Sequence, residues 1–367
     1  MKIAIDARII YTSTGRYVER LLEQLQRLDT ANDYVVLLRR EDYARWQPTA
    51  TNFTKVIADY PPYTFREQLQ FAWQLQQLRL DLVHFTMPQH PLGYRGRRVI
   101  TVHDLTLIHY VNRRHDPLLK SLYKYHLKPV VFRSFMRLSL RPATHLITPT
   151  KYVRDQVQRD FGIPDAQISY TYEAADQLAA VSKPVTALQN QRFILYVGNA
   201  YPYKNLQRLI DAHTQLADKE LKLVLVGKTD FFYRELATYV QRQGLKQVVL
   251  TGFVPDPELR WLYEHALVYA FPSLSEGFGL PAIEAMLHGV PVVAARASCL
   301  PEVLGPAATY FDPEDTADMA RVINTVLTDS ARQTTLKKAG LARAEQFSWQ
   351  RTAEQTLAIY QEALKPV

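Results

Sequence analysis

Residues 268–284 read Val-Tyr-Ala-Phe-Pro-Ser-Leu-Ser-Glu-Gly-Phe-Gly-Leu-Pro-Ala-Ile-Glu. An apolar, β-rich run ends near Phe271, a loop carrying Gly277 and Gly279 follows, and Pro281 is suited to the first helical position. Gly289 and Pro291 then end the helix. The stretch is a strand–loop–helix corner of a parallel α/β sheet. Gly277 and Gly279 let backbone N–H groups turn toward a bound group without Cβ hindrance. The helix N-terminus adds free donors and the positive end of a dipole, which suits phosphate or sugar oxygens. Glu276 and Glu284 flank that nest. Carboxylates accept hydrogen bonds from sugar or ribose hydroxyls and repel a bare phosphate, so the combination suits a ligand with both hydroxyls and phosphate. The plain alternative is a corner in which Glu276 is solvated and Glu284 steadies the first turn.

Similar units extend in both directions. Ile3–Ala7, Val35–Leu38, Leu82–Phe85, Val99–Val102 and Leu146–Thr148 read as strands, and so do Phe193–Val197, Leu223–Val226, Val248–Leu250, Val268–Phe271 and Val292–Ala295. Helical patterns lie between many of them; in Arg16–Leu28, residues Val18, Leu21, Leu22, Leu25 and Leu28 share one face. Repeated strand–helix units imply parallel sheets covered on both faces. The series pauses at 177–191 (QLAAVSKPVTALQNQ), which carries Pro184 and no strong periodicity and reads as a linker. The expectation is α/β: two doubly wound Rossmann-like domains, 1–180 and 191–347, facing a central cleft. Residues 348–367 are expected to form a final helix that crosses back to the first domain. Ligands of such sheets bind outside the C-terminal strand ends at the switch point.

The chain has 367 residues, 47% hydrophobic and 22% charged. That composition excludes a disordered, collagen-like or small disulfide-framework protein. No run approaches the ~18 apolar residues of a spanning helix. MKIAIDAR reads as a first strand rather than a leader peptide. The single cysteine, Cys299, allows no internal disulfide and fits a reducing cytoplasm. Residues 1–190 hold 26 Lys and Arg against 17 Asp and Glu, whereas 191–367 hold 18 against 19. The basic excess lies entirely in the first half and suits an acidic partner there, such as a membrane surface, nucleic acid or phosphorylated substrate.

Taken in order, STGRYVERLL, YTFREQLQ, DLVHFTMPQHPL, TVHDL, LITPTKYVRDQV, YVGNAYPYKNLQRLI, LVLVGK, TGFVPDPEL, SEGFGLPAIEAMLHGVPVVA, SCLPEVLGPAA and the FSW-plus-helix ending resemble a retaining GT-B glycosyltransferase of the family 4 type, the group with bacterial mannosyl- and glucosyltransferases. The resemblance spans nearly the whole chain. It implies that Glu284 holds the donor ribose hydroxyls and that Glu276 lies near the transferred sugar. Backbone amides of Phe278, Gly279 and Leu280 would meet sugar hydroxyls and phosphate. Lys204, in YPYKN, matches the family lysine that offsets charge growing on the leaving diphosphate. Relatives often carry an arginine a few residues earlier; this chain has Asn199. Relatives often have two glycines at the first helix; here Gly15 alone keeps the close-approach position toward phosphate. His103, in TVHDL, matches the histidine that contacts the donor sugar, with Asp104 either orienting it or capping a turn. Tyr63, Arg66 and Glu67 would border the acceptor cleft.

The implied reaction moves a hexosyl unit, mannose favoured, from a nucleotide sugar to a lipid-linked or surface glycan. It proceeds with retention by a metal-independent front-face mechanism, with GDP-mannose as favoured donor and no further cofactor. Asp256 with Glu258 and Asp312 with Glu314 read as surface turns rather than metal ligands, and the Cys and His residues give no zinc pattern. Residues 113–141 hold eight Lys and Arg and one acid, Asp116. Lys120, Lys124 and Lys128, then Arg133, Arg137 and Arg141, recur every four residues among Leu119, Tyr123, Leu127, Val131, Phe135 and Leu138. Such a helix can show a basic face to anionic lipid, placing a cytoplasmic enzyme at the inner membrane face, or be simply solvated. No nucleic-acid motif is present. The competing readings are a glucosyl, galactosyl or rhamnosyl donor, an epimerase or phosphorylase on the same fold, and a non-catalytic nucleotide-sugar-binding subunit.

Overall fold

Short runs of β-branched and apolar residues, buried on both faces, build two parallel sheets. The first contains β1 (Lys2–Asp6), β2 (Asp33–Leu38), β3 (Phe53–Ile57), β4 (Leu82–Phe85), β5 (Arg98–Thr101), β6 (His145–Thr148) and β7 (Ile168–Tyr170), in spatial order β3-β2-β1-β4-β5-β6-β7. The second contains β8 (Phe193–Val197), β9 (Lys222–Val226), β10 (Val248–Gly252), β11 (Val268–Phe271), β12 (Val292–Ala295) and β13 (Ala308–Phe311), in order β10-β9-β8-β11-β12-β13. These come from a computed structural model that describes residues 1–12, 14–110, 128–176, 178 and 181–365, with the side chains of 128 and 129 left aside. In each sheet the order reverses once, between β1 and β4 and between β8 and β11, and these are the switch points where ligands of such sheets bind.

Every residue of β4, β5, β11 and β12 is buried, because helices cover both faces of a parallel sheet. β3, β7 and β13 escape the sequence reading for the opposite reason. They are sheet edges whose half-exposed positions carry Thr, Lys, Ser or Tyr, so the apolar run is diluted.

The chain divides into two units, Met1–Glu173 with Ser348–Val367, and Ala174–Phe347. The stretch read as a linker falls inside the second unit. Leu188 is buried, and Lys183 donates its backbone N–H to Pro257 O at 2.9 Å; positions 177, 179 and 180 lie outside the described residues. The last helix, Trp349–Leu364, is capped by Ser348, whose side chain accepts from the Arg351 amide. It packs along the first helix, Gly15–Leu28, with Trp349 edge-on to Tyr17 at 6.5 Å. Beneath it, Tyr360 and Thr101 hold the two ring nitrogens of buried His84 at 2.6 and 2.7 Å. Among the described residues no helix is long and apolar enough to cross a membrane.

Candidate active site

In the second unit the helix after β11 runs from Leu280 to Leu287, one residue earlier than Pro281 predicts, so Pro281 occupies its second position. Gly279 is the N-cap at φ +95, a conformation that L side chains rarely adopt. A Cβ there would also lie 3.1 Å from Leu300 and 3.2 Å from Phe271. Phe278 turns its ring inward, buried edge-on against Phe347 at 5.2 Å, which leaves only its backbone to serve a ligand. The loop is pinned from behind. The Glu276 amide donates to Ser298 Oγ at 3.1 Å, and the Cys299 thiol donates to Glu276 O.

Lys204 and Glu276 meet across the β8–β11 switch point, Nζ to Oε1 at 2.6 Å, with side chains 12% and 11% exposed. The ammonium also lies over the rings of Tyr203 and Phe271. Its position is fixed by the next residue. Asn205 is buried at φ +61, and its amide donates to Pro272 O and Pro313 O, tying the turn after β8 to the ends of β11 and β13. Asn199 follows β8 and is half-buried; its carbonyl accepts from Tyr196 and its side-chain oxygen from the Tyr201 amide at 3.4 Å. Gly227, in LVLVGK, has a backbone reason for being glycine: a Cβ would lie 2.1 Å from Gly198 O. Glu284 sits one turn into the helix, 4% exposed, and accepts from Tyr263 Oη at 3.1 Å. The structure thus gathers Asn199, Lys204, Glu276, Phe278, Gly279, Leu280 and Glu284 at the C-terminal ends of β8 and β11.

His103 and Gly15 belong to the first unit. His103 lies two residues past β5. Its Nδ1 is 3.2 Å from Glu173 Oε1, its Nε2 is 3.0 Å from Thr86 O, and the Tyr17 ring meets it edge-on at 4.9 Å. Both ring nitrogens therefore face oxygen atoms that can accept a hydrogen bond. Asp104 does not orient it; its carboxylate accepts from the Thr106 amide and caps a turn. Gly15 opens the first helix, and its missing Cβ would fall 2.2 Å from both Ile9 O and Ile10 O. The close approach it permits is to its own chain.

Glu67, expected to border the acceptor, is fully buried. It accepts from Arg8 at 3.0 Å, from the Tyr63 amide and from Gln89, while Arg8 also makes a paired contact with Asp6. This network floors a cavity of about 140 Å³ at the β1–β4 switch point, lined among others by Ile9, Tyr60, Thr86 and Met87. Tyr63 and Arg66 are exposed beside it in sequence. Asp256 and Glu258 lie in the first turn of the helix Asp256–His265 rather than in a free turn, and Asp312 caps the Glu314 amide. Among the described residues no group of three His, Cys, Asp or Glu side chains converges. Of the basic segment, Lys120, Lys124, Leu119, Tyr123 and Leu127 lie outside the described residues, as does Ser13 beside Gly15.

Glu173, Tyr17, Tyr263 and Asn205 were not singled out in the sequence. Glu173 and His103 are 70 residues apart, with no local spacing to join them. Asn205 lies inside YPYKN beside Lys204, and nothing local in the sequence marks its left-handed backbone.

Two doubly wound, parallel-sheet units are the fold of the GT-B class of glycosyltransferase. The family model described as "Glycosyltransferase Family 4" matches residues 14–177, and "Glycosyl transferases group 1" matches 180–343. The O-antigen chain mannosyltransferase B of Escherichia coli is 31% identical over 307 residues, 79% of this chain and 76% of that one. Sucrose-phosphate synthase of Thermosynechococcus elongatus superposes with TM-score 0.77 at 21% identity, covering 99% of this chain and 98% of that one. Anabaena HepE in complex with UDP-glucose does so at 0.73 and 19%, covering 99% and 100%. The chain belongs to glycosyltransferase family 4, with the GT-B fold and the activity of a hexosyltransferase.

Proposed function

We propose that this enzyme transfers a hexose, mannose favoured, from a nucleoside-diphosphate sugar to a lipid-linked or surface glycan, with retention of anomeric configuration and without a metal. The observation that carries the reading is the Lys204–Glu276 pair at the β8–β11 switch point, with Glu276 in the loop that leads into the helix bearing buried Glu284. Glu284 accepts from the ribose hydroxyls. The amides of Phe278, Gly279 and Leu280 donate to sugar and phosphate oxygens at the helix N-terminus. Lys204 leaves Glu276 for the diphosphate, and its ammonium offsets the charge that grows as the anomeric C–O bond breaks. Freed Glu276 accepts from hydroxyls of the transferred sugar. The acceptor hydroxyl attacks from the face the diphosphate leaves, and the departing phosphate oxygen takes its proton. Lys204 supplies the cation that a metal supplies elsewhere. His103 contacts the sugar by exchanging Thr86 O for a sugar hydroxyl, while Glu173 holds the other nitrogen.

A mannosyl donor is supported by the mannosyltransferase relative, and a UDP-sugar donor is the second reading, favoured by the HepE complex with UDP-glucose. Thermal stabilisation by GDP, UDP, TDP and ADP, free and sugar-linked, separates them. A selective shift lost in Glu284→Ala is expected. No shift with any nucleotide would leave a non-catalytic subunit as the better account. NMR of the product anomer and assay in chelator test retention and metal independence.

A further inference from the structure

Three tyrosines take no part in the chemistry set out above, yet all three end on the turn that carries Asn199. Tyr196 lies in β8, Tyr269 in the neighbouring β11, and Tyr233 in the first turn of the helix Phe231–Arg242 that follows β9. Each is buried. Tyr269 Oη donates to Val197 O at 3.2 Å, Tyr233 Oη to Gly198 O at 2.9 Å and Tyr196 Oη to Asn199 O at 2.8 Å. Three hydroxyls from three elements thus hold three consecutive carbonyls. Two glycines make the room. A Cβ on Gly198 would lie 2.7 Å from Tyr196 Oη, and one on Gly227 would lie 2.4 Å from Tyr233 Oη. Burial pushes all three phenols upward from their ordinary range, so they remain protonated donors.

A trans peptide points its C=O and its N–H in opposite directions, and the peptides of this turn are trans. Holding the carbonyls of Val197, Gly198 and Asn199 from the tyrosine side therefore turns the amides of Gly198, Asn199 and Ala200 the other way. The first obeys this. Val197 O faces Tyr269 of β11, and the Gly198 N–H donates to Val226 O of β9, on the opposite flank of β8, at 2.9 Å. The next two amides, of Asn199 and Ala200, have no acceptor among the described residues. Both residues are half-buried at the C-terminal end of β8, in the stretch that leads to Lys204. With its carbonyl oxygens turned inward and hydrogen-bonded, the turn shows the outside only its donors. Successive N–H groups presented this way form a concavity for an anion.

We propose that Tyr196, Tyr233 and Tyr269 are positioning residues that fix the amides of Asn199 and Ala200 as a pair of neutral donors for the diphosphate of the nucleotide sugar, beside Lys204. This rests on the donor-site reading above and adds to it a contact that needs no second cation. Because the donors are set before the ligand arrives, they meet the charge growing on the leaving diphosphate without reorganising.

The test compares wild type with Tyr196→Phe, Tyr233→Phe and Tyr269→Phe, which keep each ring and remove one oxygen. Affinity is measured by calorimetric titration with GDP, UDP, TDP and ADP and with the corresponding nucleosides, which lack the phosphates. Each variant should bind the diphosphate that wild type prefers about tenfold more weakly and the matching nucleoside equally well. Tyr239→Phe removes a hydroxyl further along the same helix as Tyr233, where it bonds Asp211, and should bind both ligands as wild type does. In wild type, NMR hydrogen exchange at the Asn199 and Ala200 amides should be fast in the free enzyme. The diphosphate should slow it and the nucleoside should not, a readout that requires no variant to fold. Variants that lose nothing, or that lose nucleoside and diphosphate equally, overturn the proposal and leave the donor site standing. So does exchange at Asn199 and Ala200 that the diphosphate leaves unchanged. A wild type that binds none of the four diphosphates overturns the donor-site reading itself, and the proposal with it.

Discussion

Lys204 and Glu276 are 72 residues apart in sequence and 2.6 Å apart in the fold, nearly buried and mutually neutralising. Truncating either leaves the other as an uncompensated charge, which is more disruptive than the pair is stabilising. Lys204→Ala should lower kcat/KM by roughly 10²–10³, since it removes a group whose charge acts on the leaving phosphate. Glu276→Gln should cost less. A double-mutant cycle on steady-state rates should give strong non-additivity, and simple additivity would mean the pair does not act as a unit. Glu284→Ala should raise donor KM and also remove one acceptor of Tyr263 Oη, which keeps Pro281 O, at a cost of about 0.5–1.5 kcal/mol in urea unfolding. Glu284→Gln keeps the oxygen and should separate the two effects. His103→Ala should lower kcat more than donor affinity. Glu173→Gln should reproduce part of that loss, because Glu173 acts only through the ring; equal kinetics for Glu173→Gln and wild type would remove it from the site.

At the scale of elements, the corner after β11 was legible because its local rules agree: a β-rich run, two glycines, a proline and a helix stop all lie within two dozen residues. The structure adds why Gly279 in particular is glycine. Gly279→Ala combines the penalty of a positive φ with contacts of 3.1 and 3.2 Å to Leu300 and Phe271, and should destabilise the second unit by about 1–3 kcal/mol. Calorimetry should show the loss even without nucleotide; an unchanged midpoint would mean that the loop relaxes freely. Gly15 was legible as a helix start, but its reason was not, since the 2.2 Å approach to Ile9 O and Ile10 O depends on how the loop after β1 folds back. The edge strands β3, β7 and β13 were illegible because partial exposure admits Thr, Lys, Ser and Tyr, which leaves no clean apolar run in segments this short. The burial of Glu67 was not legible, because nothing local says that Arg8, 59 residues earlier, draws the carboxylate inward. Glu173 was missed for the same reason: pairing across a sheet leaves no spacing in the chain.

At the scale of the molecule, the two units differ in how acid reaches them. His84 is fully enclosed, and burial, helped by the neighbouring His103, pushes it down to about 3. His90 is pushed down to about 4, chiefly by burial. Both belong to the unit built from 1–173 and 348–367. In the unfolded chain a histidine takes up its proton near about 6.5. Between that value and the depressed ones the unfolded state binds protons that the folded state refuses, so stability rises with pH there. Their contribution is complete above about 6.5 and is lost as the pH falls, by about 2 kcal/mol for each ring at about pH 5. The second unit has a lesser counterpart in His213, also lowered by burial. Lowering the pH from about 7 to about 5 should therefore unfold the first unit ahead of the second, and urea titrations followed by Trp46 and Trp349 against Trp261 can resolve the order. His84→Gln should lower the neutral-pH midpoint, since Tyr360 and Thr101 lose their partner, while flattening the acid slope of that unit. A slope unchanged by the substitution would mean that His84 is not among the groups through which acid opens this fold.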